Sequence, residues 1–293
     1  MQAAQAFVCD IAEKISMPEV YHKLRQLMNK PQAKVDEFEK LIRADSMLTL
    51  RIMQIANSEF FGFNRNVDNL YDAICLIGVV QLHDVLLSSL CMRTFYNIPE
   101  QILNYNEFWL HGIQRGIASK SIARLCRLPA GNRFFAVGLL LEIGHAAMFA
   151  KAPELAIQTL MESQQHQLPI VKVERKNFGF DYCQLGSALM HQWHVPAVYA
   201  AIIEHHLTPE LIEPNLRIET AVVNLACRIC ESSGQFEPGD SELLGCFRQF
   251  ANFPENFADL IVSEVAKNIE SIFTMLSPPQ THLILANSTD TEL

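Results

Sequence analysis

The sequence has no run of basic residues. Its 23 Lys and Arg are outnumbered by 32 Asp and Glu, leaving a net charge of −9. No basic stripe with interleaved aromatics occurs, so the charge needed to neutralise a phosphate backbone is missing and nucleic-acid binding is not expected. No apolar run reaches the roughly 18 residues that span a bilayer. The opening residues, MQAAQAFVCDIAEK, lack the basic region and long apolar stretch of a signal peptide. A cytoplasmic chain without membrane contact is therefore expected. GxGxxG, the P-loop, GxSxG and HExxH are absent, which removes the common nucleotide and hydrolase signatures. One CxxC, Cys227 and Cys230, has no second CxxC to complete a metal knuckle. Within the apolar pattern AVVNLACRIC it reads as two packed core thiols. The other six cysteines are scattered, as suits a reducing compartment. Strand signals are sparse. The best of them, LPIVKVE at 168 to 174, is short, has no partner, and reads as a loop or the start of a helix.

What is present is helical periodicity in a chain of 293 residues, 49% of them hydrophobic, enough for one large core or two smaller ones. Pro18 suits the first position of a helix carrying Val20, Leu24 and Leu27. Ser46 can cap a helix with Leu48, Leu50, Ile52, Met53 and Ile55. Leu70, Ala73, Ile74 and Ile77 fall at i, i+3, i+4 and i+7, with Asp68 as N-cap and Gly78 as stop. Further helices are expected at 79–90, 108–125, 153–161, 182–193, 196–205 and 219–231. The segment 134–149 reads as one buried, nearly all-apolar helix. The fold class is all-α. NIPEQILNYN at 97–106 divides an N-terminal helical bundle (15–100) from a second helical unit (101–231). SSGQFEPGD at 232–240 reads as a linker. Beyond it, Asn256 can cap a C-terminal helix with Leu260, Ile261, Val265, Ile269 and Phe273. Pro278 and Pro279 end that helix, and the tail is expected to be mobile.

Ten histidines raise the question of metal. The candidates are His111, His145, His191, His194, His205 and His206. His191 and His194 read as polar capping residues at a helix end. His205 and His206 point about 100° apart on a helix, so at most one faces inward. His145 could be a satisfied core histidine. Glu142 is the most informative charge, because an acid in an apolar helix is costly without a partner. It could ligate a metal, pair with a buried cation, or accept hydrogen bonds from His111 or His205.

Six segments in chain order carry a family resemblance. LIRADSMLTLRIMQI offers Asp45, Leu48, Thr49 and Arg51. ANSEFFGFNRNVDNLYDAICLIGVVQL offers Ala56, Asn57, Ser58, Phe61, Gly62, Ile77 and Gly78. FWLHG, GLLLEIG, FGFDYCQLGSALMHQWHVP and AIIEHH follow. Together they resemble the HDOD family over roughly residues 15 to 231, with an HD-domain-like, multi-helical architecture in which the N-terminal bundle packs on an HD-like unit. HDOD domains are relatives of HD-type metal-dependent phosphohydrolases and of HD-GYP phosphodiesterases that cleave cyclic di-GMP. The resemblance implies that the first metal-binding histidine is kept as His111 and that the His-Asp pair is replaced by Leu141 and Glu142. It puts Tyr182 where another histidine belongs, keeps His205 and His206, and puts Cys227 at the final aspartate.

No catalytic residue is therefore assigned. His111, Glu142, His205 and His206 are the residual metal candidates. No cofactor is expected beyond a residual divalent metal at those residues. The expected function is a non-catalytic bacterial signalling module on a degenerate phosphohydrolase scaffold. The alternative is a metal-dependent phosphohydrolase acting on a nucleotide or cyclic dinucleotide, and a third reading is a nucleotide receptor using the old cleft. The expected partner is a regulatory or signalling protein in trans, met through Asn57, Phe60, Phe61 and Phe63 in the ANSEFFGF turn.

Overall fold

The computed structural model describes residues 2–12, 14–63, 66–129, 131–232, 247, 253–254 and 256–278. Among them every regular element is helical. In chain order the α-helices are α1 (Gln2–Ile11), α2 (Glu19–Met28), α3 (Val35–Arg43), α4 (Ser46–Ala56), α5 (Leu70–Ile77), α6 (Val79–Thr94) and α7 (Tyr105–Leu125). They continue as α8 (Gly131–Leu140), α9 (Ile143–Lys151), α10 (Pro153–His166), α11 (Ile170–Phe178), α12 (Tyr182–Gln192), α13 (Ala197–His205), α14 (Arg217–Glu231) and α15 (Phe257–Leu276). Two compact units result. One takes the described residues of Met1–Ser16 and Asn97–Lys267, the other those of Met17–Tyr96 and Asn268 onwards. Residues 233–240 of the expected linker, Pro279 and the tail lie outside the described residues.

In the unit holding α2 to α6, the helix starts shift by one residue from the expected caps. Asp45, not Ser46, caps α4, its carboxylate accepting from the Met47 and Leu48 amides. Asn69, not Asp68, caps α5 and accepts from Asp72 N at 2.9 Å. Pro18 is the N-cap of α2, one residue ahead of its first turn. Gly78 adopts φ +78° between α5 and α6, a conformation only glycine takes at little cost, so one helix ends and another begins without a loop. Arg51 is buried on α4. It donates to Ser89 Oγ and, at 2.7 Å, to the Ser277 carbonyl, which ties the end of the described chain to this unit.

The aromatic turn belongs to the same unit. The Asn57 side chain clips the chain to itself, donating to Val67 O at 3.0 Å and accepting from Val67 N at 2.9 Å. Phe61 is buried and meets Phe60 edge-on at 5.1 Å. Of the four expected partner contacts, exposed Asn57 holds the turn and buried Phe61 anchors it. Phe60 and Phe63 remain half-exposed.

In the other unit, the expected single helix over 134–149 is two helices, α8 and α9, broken at Leu141–Glu142. Residues Gly131–Lys151 together have the length and hydropathy of a bilayer span, contrary to the expectation from apolar runs. Most of that stretch is buried within the unit, as in a core helix pair. An unbroken helix would carry Glu142 in its apolar face. The break instead places it ahead of α9 at φ −99°, ψ 16°. LPIVKVE starts a helix, with Pro169 as the N-cap of α11. Helix α1 was not anticipated. Its buried Ala4, Val8 and Ile11 recur at helical spacing and pack it on α12. Phe7 of α1 meets Phe178 at 6.1 Å and Phe180 at 5.2 Å, with Lys151 Nζ 4.0 Å above its ring.

Candidate functional site

The site is built where α7, the α8–α9 break, α11 and α12 come together. Helix α7 presents Arg115, which is buried, flanked by Gly112 and Gly116. α8 can approach α7 because Gly138 has no side chain: a Cβ there would lie 2.7 Å from the Arg115 carbonyl. Arg115 Nη2 donates to Glu142 Oε2 at 3.0 Å. Burial, the largest influence, raises the Glu142 carboxyl, but the opposing influences, the Arg115 guanidinium foremost, outweigh it and hold the group below its ordinary value. The other carboxylate oxygen, Oε1, has no hydrogen-bond partner among the described residues.

Glu174 of α11 is the second carboxylate. It is buried; its Oε2 accepts from Tyr182 N at 2.9 Å, and its Oε1 lies 2.8 Å from His145 Nε2. That second approach lacks hydrogen-bond alignment. The His145 ring lies against Tyr182, centroids 4.1 Å apart. α9 can sit so close to α12 only because residue 144 is glycine, since a Cβ would fall 2.0 Å from the Tyr182 carbonyl. Gly144→Ala is therefore expected to cost about 2 kcal/mol in urea unfolding, the scale of forced overpacking.

Tyr182 continues the network. Its hydroxyl lies 3.1 Å from His206 Nε2, and His206 Nδ1 lies 2.7 Å from the Ile203 carbonyl. A carbonyl only accepts, so Nδ1 carries the proton and Nε2 accepts from the tyrosine. Burial above all lowers the His206 pKa to about 4, which keeps the ring neutral. Burial likewise pushes the Tyr182 hydroxyl and the Cys227 thiol well up, so both stay protonated.

The four residual metal candidates do not converge. His111 is exposed, one helical turn before Arg115. Glu142 is taken by Arg115, and His206 uses both ring nitrogens within the protein. His205 ends α13, half-exposed. Leu141 is buried and offers no donor. Among the described residues no group of three or more His, Cys, Asp or Glu is placed to hold a metal ion. The metal cluster of the catalytic relatives needs several free lone pairs around one point, and these residues do not fit it. The reading from sequence missed Arg115 and Glu174. For Arg115 the signal was a cation inside the apolar, glycine-flanked run HGIQRGIAS.

Beside the network lies a cavity of about 220 Å³ within this unit. Glu142, His145, Thr159 and Glu174 line one part of it, and aromatic and aliphatic side chains of α7, α9, α10 and α11 line the rest.

A model of the HDOD domain matches residues 15–209. An uncharacterized protein of Treponema pallidum (strain Nichols) is 22% identical over 248 residues, which cover 81% of this chain and 47% of that protein. The chain thus spans about half the length of the curated relative it matches. Among solved structures, an HDOD domain protein with unknown function from Geobacter sulfurreducens superposes with a TM-score of 0.69 at 20% identity, covering 94% of this chain and 97% of that one. A protein of Shewanella amazonensis SB2B, named as a candidate phosphohydrolase, gives a TM-score of 0.70 at 16% identity over 92% and 97%. One from Marinobacter aquaeolei VT8, named as a candidate signal transduction protein, gives 0.67 at 17% identity over 91% and 60%. At these identities the likeness is one of fold.

Proposed function

The chain belongs to the HDOD family, and we propose that it is a cytoplasmic signal-transduction module that acts by protein contact and not by hydrolysis. The observation that carries this reading is the Arg115–Glu142 ion pair. A guanidinium cannot give up its proton near neutral pH and occupies one oxygen of the carboxylate beside it, so too few free lone pairs are left to hold a hydrolytic metal. A hydrolytic metal would need that carboxylate to polarise a phosphoryl oxygen or activate water. Around the pair, a protonated thiol, a protonated phenol and a neutral, doubly bonded imidazole make a structural polar network.

The contact surface in this reading is the aromatic turn of the other unit. Asn57 and Phe61 fix its shape, while half-exposed Phe60 and Phe63 meet a regulatory or signalling protein. Purified full-length chain, incubated with Mn²⁺ or Mg²⁺, is expected to leave cyclic di-GMP and nucleoside triphosphates intact. A Phe60→Ser, Phe63→Ser double variant is expected to keep its helical circular dichroism and lose its partner. Metal-dependent hydrolysis that disappears in Glu142→Gln would overturn the reading.

A further inference from the structure

The cavity beside Glu142 is not used by the partner-contact reading, and its lining is specific. Its walls include Phe108, Met148, Phe149, Leu160, Ile170 and Phe178. Such a surface holds water poorly. An apolar cavity of about 150 Å³ already admits benzene, and this one measures about 220 Å³. A single ring with a short side chain is the matching size.

The polar end sets the charge of the occupant. Thr159 Oγ1 is committed, donating to the Leu155 carbonyl at 2.7 Å and accepting from Asn177 Nδ2 at 3.1 Å. Glu174 Oε2 accepts from Tyr182 N, and its Oε1 is covered by the His145 ring, whose Nε2 lies 2.8 Å away. Glu142 Oε1 is left with no hydrogen-bond partner among the described residues. Two carboxylates line the cavity, and no Lys or Arg does so among the described residues. Arg115 bonds Glu142 but is not part of the lining. A phosphate or carboxylate would meet two carboxylates, with the His145 ring, already against Glu174, as the one basic side chain in the lining. A protonated amine would meet a carboxylate oxygen that lacks a donor, with aromatic faces beside it that favour a cation.

We propose that this cavity binds a small molecule with an aromatic or aliphatic body and a protonated amine, the amine on Glu142 and the body between α9, α10 and α11. Helix α1 supports the wall from behind, since Phe7 packs on Phe178. The site lies in a different unit from the aromatic turn, so the proposal stands or falls separately from partner binding.

The test is calorimetric or saturation-transfer NMR titration of the full chain with 2-phenylethylammonium, 2-phenylethanol and 3-phenylpropanoate. The ammonium probe is expected to bind about tenfold or more tightly than the carboxylate, the scale of one charge-assisted hydrogen bond. Glu142→Gln should narrow that preference. Ala156→Phe fills the cavity from its lining, and Leu160→Trp blocks it at a residue that is partly exposed. Each should weaken the ammonium probe about tenfold or more while the thermal midpoint is held or raised. Failure of the ammonium probe to bind, equal binding of ammonium and carboxylate, or binding indifferent to both filling variants would overturn the proposal.

Discussion

Glu142→Ala is expected to destabilise the protein by about 3–4 kcal/mol, because breaking a buried ion pair from one side leaves the other charge without compensation. The charge left behind is Arg115, whose side chain is 10% exposed and whose Nε has no hydrogen-bond partner. Glu142 itself is 29% exposed, which keeps the expected loss towards the lower end of that class. Removing both charges together should behave differently. Arg115→Met with Glu142→Leu leaves no orphan charge, and paired replacement by apolar residues of similar volume is often neutral or stabilising. Urea midpoints of the two single variants and the double variant give the cycle. The expected result is a double variant within about 1 kcal/mol of wild type, and a loss equal to the sum of the two single losses would contradict the pairing.

Stability is also expected to fall by about 3 kcal/mol as pH drops from 6.5 to 4, through His206 alone. Its pKa goes from an ordinary 6.5 to about 4 in the folded chain. Between those values the unfolded chain takes up a proton that the folded chain refuses, so acid favours unfolding. The contribution of the neutral ring is complete above pH 6.5 and is lost on the way down to pH 4, at about 1.4 kcal/mol per pH unit. Glu142 adds a second window. Its folded pKa is lowered, so its contribution is present above its ordinary value of 4.5 and is lost as pH falls through the folded value. His206→Gln should cost stability at neutral pH and flatten the slope between pH 6.5 and 4.5. An unchanged slope in that variant would place the acid sensitivity elsewhere.

Much of the fold was legible because helices report themselves locally. Gly78 marked the junction of α5 and α6, and the 3.6-residue spacing in 70–77 marked a buried face. Caps were off by one residue where two candidates stood side by side, as at Asp45–Ser46 and Asp68–Asn69, because only the backbone angles decide which of them leaves the helix. The break at Leu141–Glu142 was hidden because both flanks are apolar. Its cause is a partner 27 residues away on another helix. The same reason divides the site. Glu142 stood out as an acid among apolar residues, whereas Arg115 needed the glycine-lined approach of α7 and α8 to become its partner. His111 and His205 looked like ligands because their residue type and the resemblance both pointed that way. Neither fact says whether a side chain ends in solvent. Glu174 was invisible as a site residue because LPIVKVE had no clear helical character until Pro169 capped it.

In the proposed reading the Arg115–Glu142 pair takes up the carboxylate that a hydrolytic metal would need. The direct measurement is metal content of the full chain after loading with Mn²⁺ or Fe²⁺ and removal of the free ion, by inductively coupled plasma mass spectrometry. The account predicts far less than one ion per chain, unchanged in His111→Ala and Glu142→Gln. One or more tightly held ions per chain, lost in those variants, would contradict it.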